Sequence, residues 1–130
     1  GPDSAPMTLP PGDASPLTPA AAWAQVRIAE AALAKRGATD SGGALKAALT
    51  PDARVQGSTA GPAITPAAVD KELATRSPAI AYKLVGGGAA KAGDLVWTWG
   101  DADSKAGHAH FVRVWQRREG EWRVVFDQIV

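Results

Sequence analysis

The sequence predicts an α+β domain, and three observations carry that reading. The first half places apolar residues at helical spacing behind threonine–proline starts at Thr18-Pro19 and Thr65-Pro66. From about residue 79 the apolar period changes to two, the strand period. Four of the five tryptophans and both phenylalanines then fall within residues 97–126, where a sheet has most to bury.

Residues 1–17 are predicted to be a flexible, proline-rich lead-in, and residues 18–130 the domain. Six of the ten prolines lie in the first 19 positions, among Ala, Ser, Thr, Asp and Gly. Such a stretch buries too little apolar surface to offset its ordering entropy. Gly1-Pro2 reads as the scar of a cut protease site. An upstream leader or domain fits that reading, and a periplasmic or secreted location is slightly favoured over a cytoplasmic one.

Thr18 suits an N-cap and Pro19 the first helical position, where a missing N–H is harmless. Trp23, Val26, Ile28 or Ala29, and Leu33 follow at helical spacing, with Glu30, Lys35 and Arg36 marking the wet side and Gly37 the end. Asp40 or Ser41 caps a second short helix carrying Leu45, Ala48 and Leu49. A short strand is predicted at 53–57 and a third helix at 66–76, with Val69 and Leu73 on its inner face.

Beyond it, Ile80, Tyr82 and Leu84 alternate with small or polar neighbours until Gly86-Gly87-Gly88, a bulge or bend. Strands are then predicted at 95–100, 108–117 and 122–130, with a polar loop at 101–107 and a hairpin turn at 118–120. Three helices and four or five antiparallel strands make a two-layer arrangement.

Composition narrows function mainly by exclusion. With 14 basic and 13 acidic residues the net charge is +1, which gives no electrostatic case for nucleic acid. There is no cysteine, so disulfides, thiolate metal sites and a cysteine nucleophile are excluded. No run of about 18 apolar residues occurs, so no membrane-inserted helix is expected.

The stretch Gly93-Asp94-Leu95-Val96-Trp97-Thr98-Trp99-Gly100, then Gly107 with Phe111 to Arg118, then Glu119-Gly120-Glu121-Trp122 through Asp127, resembles the C-terminal half of the nuclear transport factor 2-like superfamily. Within it, the closest likeness is to the SnoaL-like and ketosteroid-isomerase-like bacterial branch of unknown function. The resemblance implies a cystatin-like, cone-shaped curved antiparallel sheet packed by N-terminal helices. It also implies a pocket in the cone that takes a small apolar ligand, a homodimer through the outer sheet face, and no cofactor. The same fold hosts isomerases, dehydratases, hydrolases and non-catalytic modules, so fold analogy alone supplies no activity.

Candidate residues follow from that frame. Asp127 as base, with Arg113 or Tyr82 donating to an oxyanion, is the set that cofactor-free proton transfer would need. Ketosteroid isomerases carry a carboxylic acid at the position matching Arg113, so the resemblance does not extend to their activity. The competing reading is a structural Arg113–Asp127 pair. A three-residue hairpin loop centred on Glu119 puts Arg113 on the side of Trp115, Val125 and Asp127. A two-residue loop at Glu119-Gly120 puts it opposite Phe126 and breaks the pair. Trp97, Trp99, Tyr82 and Trp115 are the candidate pocket walls, with core or dimer-interface roles as the alternative. The third possibility is a dimeric assembly module whose cone is filled by side chains.

His108 and His110, two apart on one strand, share a face and can begin a metal site. A third ligand would come from Asp101 or Asp103, and spacing selects neither. Exposed histidines beside a polar loop are ordinary, so no metal is expected. Asp94 reads as a turn residue, and Asp70 and Glu72 as helix-surface acids, Glu72 spaced to pair with Arg76.

Overall fold

A computed structural model describes residues 8–13, 16–57 and 61–130. The elements in chain order are helices α1 (Pro19–Gly37) and α2 (Ser41–Ala48), strand β1 (Leu49–Gln56), helix α3 (Pro66–Ala74), and strands β2 (Ala81–Ala89), β3 (Leu95–Asp103), β4 (His110–Arg118) and β5 (Glu121–Ile129). The five strands form one curved sheet in the order β1-β5-β4-β3-β2. The α+β expectation is met, with one change: β1 pairs parallel to β5, so the sheet is mixed rather than wholly antiparallel.

The helix starts follow the expected chemistry. The Thr18 and Thr65 hydroxyls accept from the backbone N–H groups of Ala21 and Ala68, at 3.1 and 3.2 Å. Asp40 accepts from Gly43 N–H at 3.0 Å and so fixes α2 in spite of its two glycines. The face α1 turns inward carries Ala22, Val26, Glu30 and Leu33, while Ile28 is exposed. Val26 and Leu33 join Leu45, Val55, Val96, Trp115 and Val124 in the main core between helices and sheet.

β3 is longer than predicted and runs on to Asp103. Ala102 is buried between outward Asp101 and Asp103, so the two-residue period continues through a stretch whose acids suggested a loop. The β4–β5 turn is the two-residue form, with Glu119 and Gly120 both at positive φ, 53° and 77°. The expected consequence, loss of the Arg113–Asp127 pairing, does not follow. A register shift sets Trp115 opposite Val124 and Val114 opposite Phe126, leaving Val125 as an extra residue. That bulge restores the parity, and Arg113 pairs directly with Asp127.

The triple glycine is explained by what lies over it. Val85 is the extra residue of a second bulge, after which Gly86 pairs with Trp99, Gly87 with Thr98 and Gly88 with Trp97. On the outer face the indoles of Trp99 and Trp97 lie against Gly86 and Gly88, where a Cβ would meet them at 2.8 and 2.4 Å. On the inner face a Cβ on Gly87 would fall 2.1 Å from the Trp97 carbonyl oxygen and 2.8 Å from the Trp23 ring.

Part of the lead-in is docked against the sheet rather than loose. Gln116 donates to the Pro10 carbonyl at 2.7 Å, and Asp13 N–H donates to the Arg117 carbonyl at 2.9 Å. The Asp13 carboxylate accepts from the N–H groups of Glu119 and Gly120, each at 2.8 Å. The Gly120 N–H, joined by that of Glu119 and by the charge of Arg117, holds the Asp13 carboxyl below the usual carboxylate range. Residues 1–7, 14 and 15 of the predicted lead-in lie outside the described residues.

Because Gly87 has no room on its inner side, Gly87→Ala is expected to lower stability by about 1–3 kcal/mol, the usual penalty for overpacking. Chemical denaturation measures this, and an unchanged midpoint would contradict the close approach of Trp23 and β3.

Candidate functional site

The inside of the cone holds a buried ionic network. Arg113 and Asp127, direct partners across β4 and β5, are both 0% exposed. Arg113 Nε donates to Asp127 Oδ2 at 2.8 Å and Nη1 to Glu30 Oε2 at 2.7 Å. The other Glu30 oxygen accepts from the Trp115 indole N–H at 2.7 Å and from the Thr98 hydroxyl at 2.9 Å. The other Asp127 oxygen accepts from Arg76 Nη1 at 2.6 Å, and Arg76 Nη2 donates to the Gln56 carbonyl at 3.0 Å. Two guanidiniums face two carboxylates, so the charges balance within the network.

Aromatic rings close the remaining sides. The Arg113 guanidinium carbon lies 4.3 Å from the Tyr82 ring centroid and 4.1 Å from that of Phe111. Tyr82 and Phe111 meet edge to face at 5.5 Å. Burial pushes the Tyr82 phenol up, and the Asp127 charge adds to it against the opposing pull of Arg113 and Arg76. Burial pulls the Arg113 guanidinium down, but Asp127 and Glu30 outweigh it, and the net shift is upward. Arg113 stays a cation in the core.

Of the candidate residues, the structure brings Arg113, Asp127, Tyr82 and Trp115 together inside the cone. It corrects two others. Trp97 and Trp99 are not pocket walls; they lie on the outer sheet face, 50% and 48% exposed. Their strand alternates Val96, Thr98, Gly100 and Ala102 inward, which sends both indoles out. Trp115 is a core residue whose indole N–H is spent on Glu30.

Two participants were missed. The charge of Glu30 predicts a solvent-facing residue, yet it continues the stripe of Ala22, Val26 and Leu33, and that spacing is the available signal. Arg76 follows the end of α3 and reaches Asp127 from 51 positions away, a contact no local pattern announces.

A cavity of about 270 Å³ remains at the end of the cone, lined by Arg76, Ile80, Ala102, Ser104, His108 and Ile129 among others. Three buried donors near the network have no hydrogen-bond partner: Arg76 Nε, Arg113 Nη2 and the Tyr82 hydroxyl. A broader depression of about 630 Å³ near the β4–β5 turn is lined by Arg118 and Arg123. Both are engaged, with Asp52 and with Glu121.

Removing one member of the network strands the others. Glu30→Ala leaves Arg113 Nη1, the Trp115 indole and the Thr98 hydroxyl without an acceptor, and it is expected to destabilise the fold by about 3–5 kcal/mol. Replacing Glu30 and Arg113 together by apolar residues should be less damaging than the sum of the single changes. A double-mutant cycle by denaturation checks this, and simple additivity would show that the pair is not coupled.

No family model matches the chain, and no curated protein matches it in sequence. Solved structures do. A nuclear transport factor 2-like protein of unknown function from Pseudomonas putida KT2440 is 13% identical with a TM-score of 0.67, covering 87% of this chain and 88% of that one. A protein of unknown function with a cystatin-like fold from Nostoc punctiforme is 12% identical with a TM-score of 0.64, covering 88% and 93%. A ketosteroid isomerase-like protein from Erwinia carotovora atroseptica is 14% identical with a TM-score of 0.63, covering 82% and 92%. The chain therefore has the nuclear transport factor 2-like, cystatin-like fold.

Proposed function

We propose that this is a non-catalytic domain that self-associates through the outer face of its sheet. The observation that carries the reading is an inversion of the usual arrangement: the cone is filled by charge, and the outside of the sheet is aromatic. Two rows cross the outer face in register. One runs Gly86, Trp99, Val112, Gln128, and the other Gly88, Trp97, Val114, Phe126. Trp97, Trp99 and Val112 are all exposed on it. Contiguous apolar surface of this kind marks an interaction site on a folded protein. A flat patch on a sheet face suits a two-fold contact, in which the same rows meet themselves.

The geometry weighs against proton transfer by Asp127. A general base needs a free lone pair within reach of a substrate proton. Both Asp127 oxygens accept from guanidiniums, and the residue is inaccessible to solvent.

Light scattering or sedimentation on the protein at micromolar concentrations is expected to give a dimer. Replacing Trp97 and Trp99 together by lysine should give a folded monomer, with circular dichroism as the control. A monomeric parent protein would overturn the proposal.

One observation favours a second reading, a small ligand in the cavity of about 270 Å³, where Arg76 lies among Ile80, Ala102, Ala109 and Ile129 together with the polar Glu72, Thr75, Ser77, Ser104 and His108. The volume sits just under the range of about 300–1,000 Å³ typical of small-molecule sites, so it suits a ligand of few atoms with one acceptor. Benzoate is a suitable probe. NMR shifts confined to Ala102, Ala109 and Ile129, and abolished by Ala102→Leu, would support this reading. The absence of saturable shifts would remove it for small carboxylates.

A further inference from the structure

The tip of the β3–β4 hairpin gathers histidines and carboxylates that neither the ionic network nor the aromatic face uses. Asp101 and His110 are register partners across the two strands, with Asp101 Oδ1 3.3 Å from His110 Nδ1. His108 turns back over His110, the two rings meeting edge to face with centroids 4.9 Å apart. One ligand atom from each of Asp101, His108 and His110 lies within 4.8 Å of the others. His108 Nδ1 also contacts Asp103 Oδ1.

The tip that presents these groups is braced. Ser104 and Gly107 exchange backbone hydrogen bonds at 3.0 and 3.1 Å, and Ala102 N–H donates to the Ala109 carbonyl at 2.8 Å. Gly107 adopts φ +128°, a conformation L side chains rarely take, and reverses the chain so that His108 faces His110. The Ser77 hydroxyl donates to Ser104 Oγ at 3.0 Å, tying the tip to the segment that follows α3.

We propose that Asp101, His108 and His110 form a binding site for a divalent transition metal of the zinc class, with Asp103 as the group that positions His108. Ligand atoms around a tetrahedral zinc stand roughly 3.3 Å apart, given metal–ligand bonds of about 2.0–2.1 Å. Two imidazoles and a carboxylate are the donor set of a borderline metal rather than of calcium or magnesium, which take oxygen ligands. The Asp103 contact supplies what such histidines need beyond the metal. With Nδ1–H directed at that carboxylate, Nε2 keeps its lone pair for the ion, the carboxylate–histidine–metal arrangement. Three protein ligands leave a fourth position for water or an incoming group. The site lies on the single chain and does not depend on self-association.

Zinc titrated calorimetrically into the full-length protein near neutral pH is expected to bind one ion per chain with a dissociation constant on the order of 1–10 μM, about −7 to −8 kcal/mol. His108→Ala and His110→Ala should each weaken binding at least about tenfold. Asp103→Asn should weaken it by about 10–100-fold, the usual range for loss of a group that orients a ligand. Magnesium at equal concentration should not compete. These side chains are largely exposed, so the variants should keep the parental melting temperature without metal, and that measurement separates lost ligation from lost folding. Absence of saturable binding below about 100 μM, or parental affinity in His110→Ala, would overturn the site. Unchanged affinity in Asp103→Asn would remove the positioning role.

Discussion

Glu30 is the residue on which the arrangement of the domain turns. It projects from the middle of α1 onto the inner face of the sheet, and one carboxylate satisfies Arg113, Trp115 and Thr98 together. Each of those donors is buried, and each would otherwise carry the penalty of an unmade hydrogen bond. The helix is thereby held at one height and rotation on the sheet. Apolar packing alone would tolerate a slide or a turn of α1, because Val26 and Leu33 can pack against several neighbours. A carboxylate with three fixed donors cannot. This is the sense in which a buried ionic group specifies a structure even where it adds little net stability.

Arg113 carries the same constraint to the far edge of the cone. It links Glu30 to Asp127, and Asp127 links to Arg76 and, through it, to the Gln56 carbonyl of β1. The chain of contacts runs from α1 through β4 and β5 to the end of α3. β1 is the strand that most needs such a tie. It is the last strand of the sheet beside β5, bridged at Val55 to Ala63, its register slips between Leu49 and Arg54, and the interrupting residues include Pro51, which has no N–H to give a ladder. The Arg76 contact ties the end of β1 to the ionic network.

How much of this was legible in the sequence depends on how local the cause was. The three helix starts were legible because a cap acts over three residues, and Thr18, Asp40 and Thr65 each cap as their side chains dictate. The β2–β5 meander was legible from its period, and its glycine and tryptophan spacing pointed to the right fold. Register was not. A two-residue turn read by itself sets Arg113 opposite Phe126, and only the extra Val125, which looks like any other strand valine, brings Asp127 round to face it. Glu30 was hidden by its own chemistry, since a lone acid among alanines reads as solvent-facing unless its distant donors are known. The outward fate of Trp97 and Trp99 was half visible. Their alternation with Thr98 was plain, but which set faces in depends on where Thr98 finds its acceptor, 68 positions away on α1.

That dependence joins the interior to the surface. Thr98 turns inward to reach Glu30, so Trp97 and Trp99 on either side must turn outward, because successive strand residues point to opposite faces. Outward indoles need flat ground, and the neighbouring strand supplies it at Gly86 and Gly88. Beyond Trp99 the same alternation sends Asp101 and Asp103 out, to the histidines of the next strand. The polar core, the aromatic face and the histidine–carboxylate cluster are three consequences of one register. A change that inverted Thr98 would disturb all three, whereas a change at the hairpin tip would leave the other two intact.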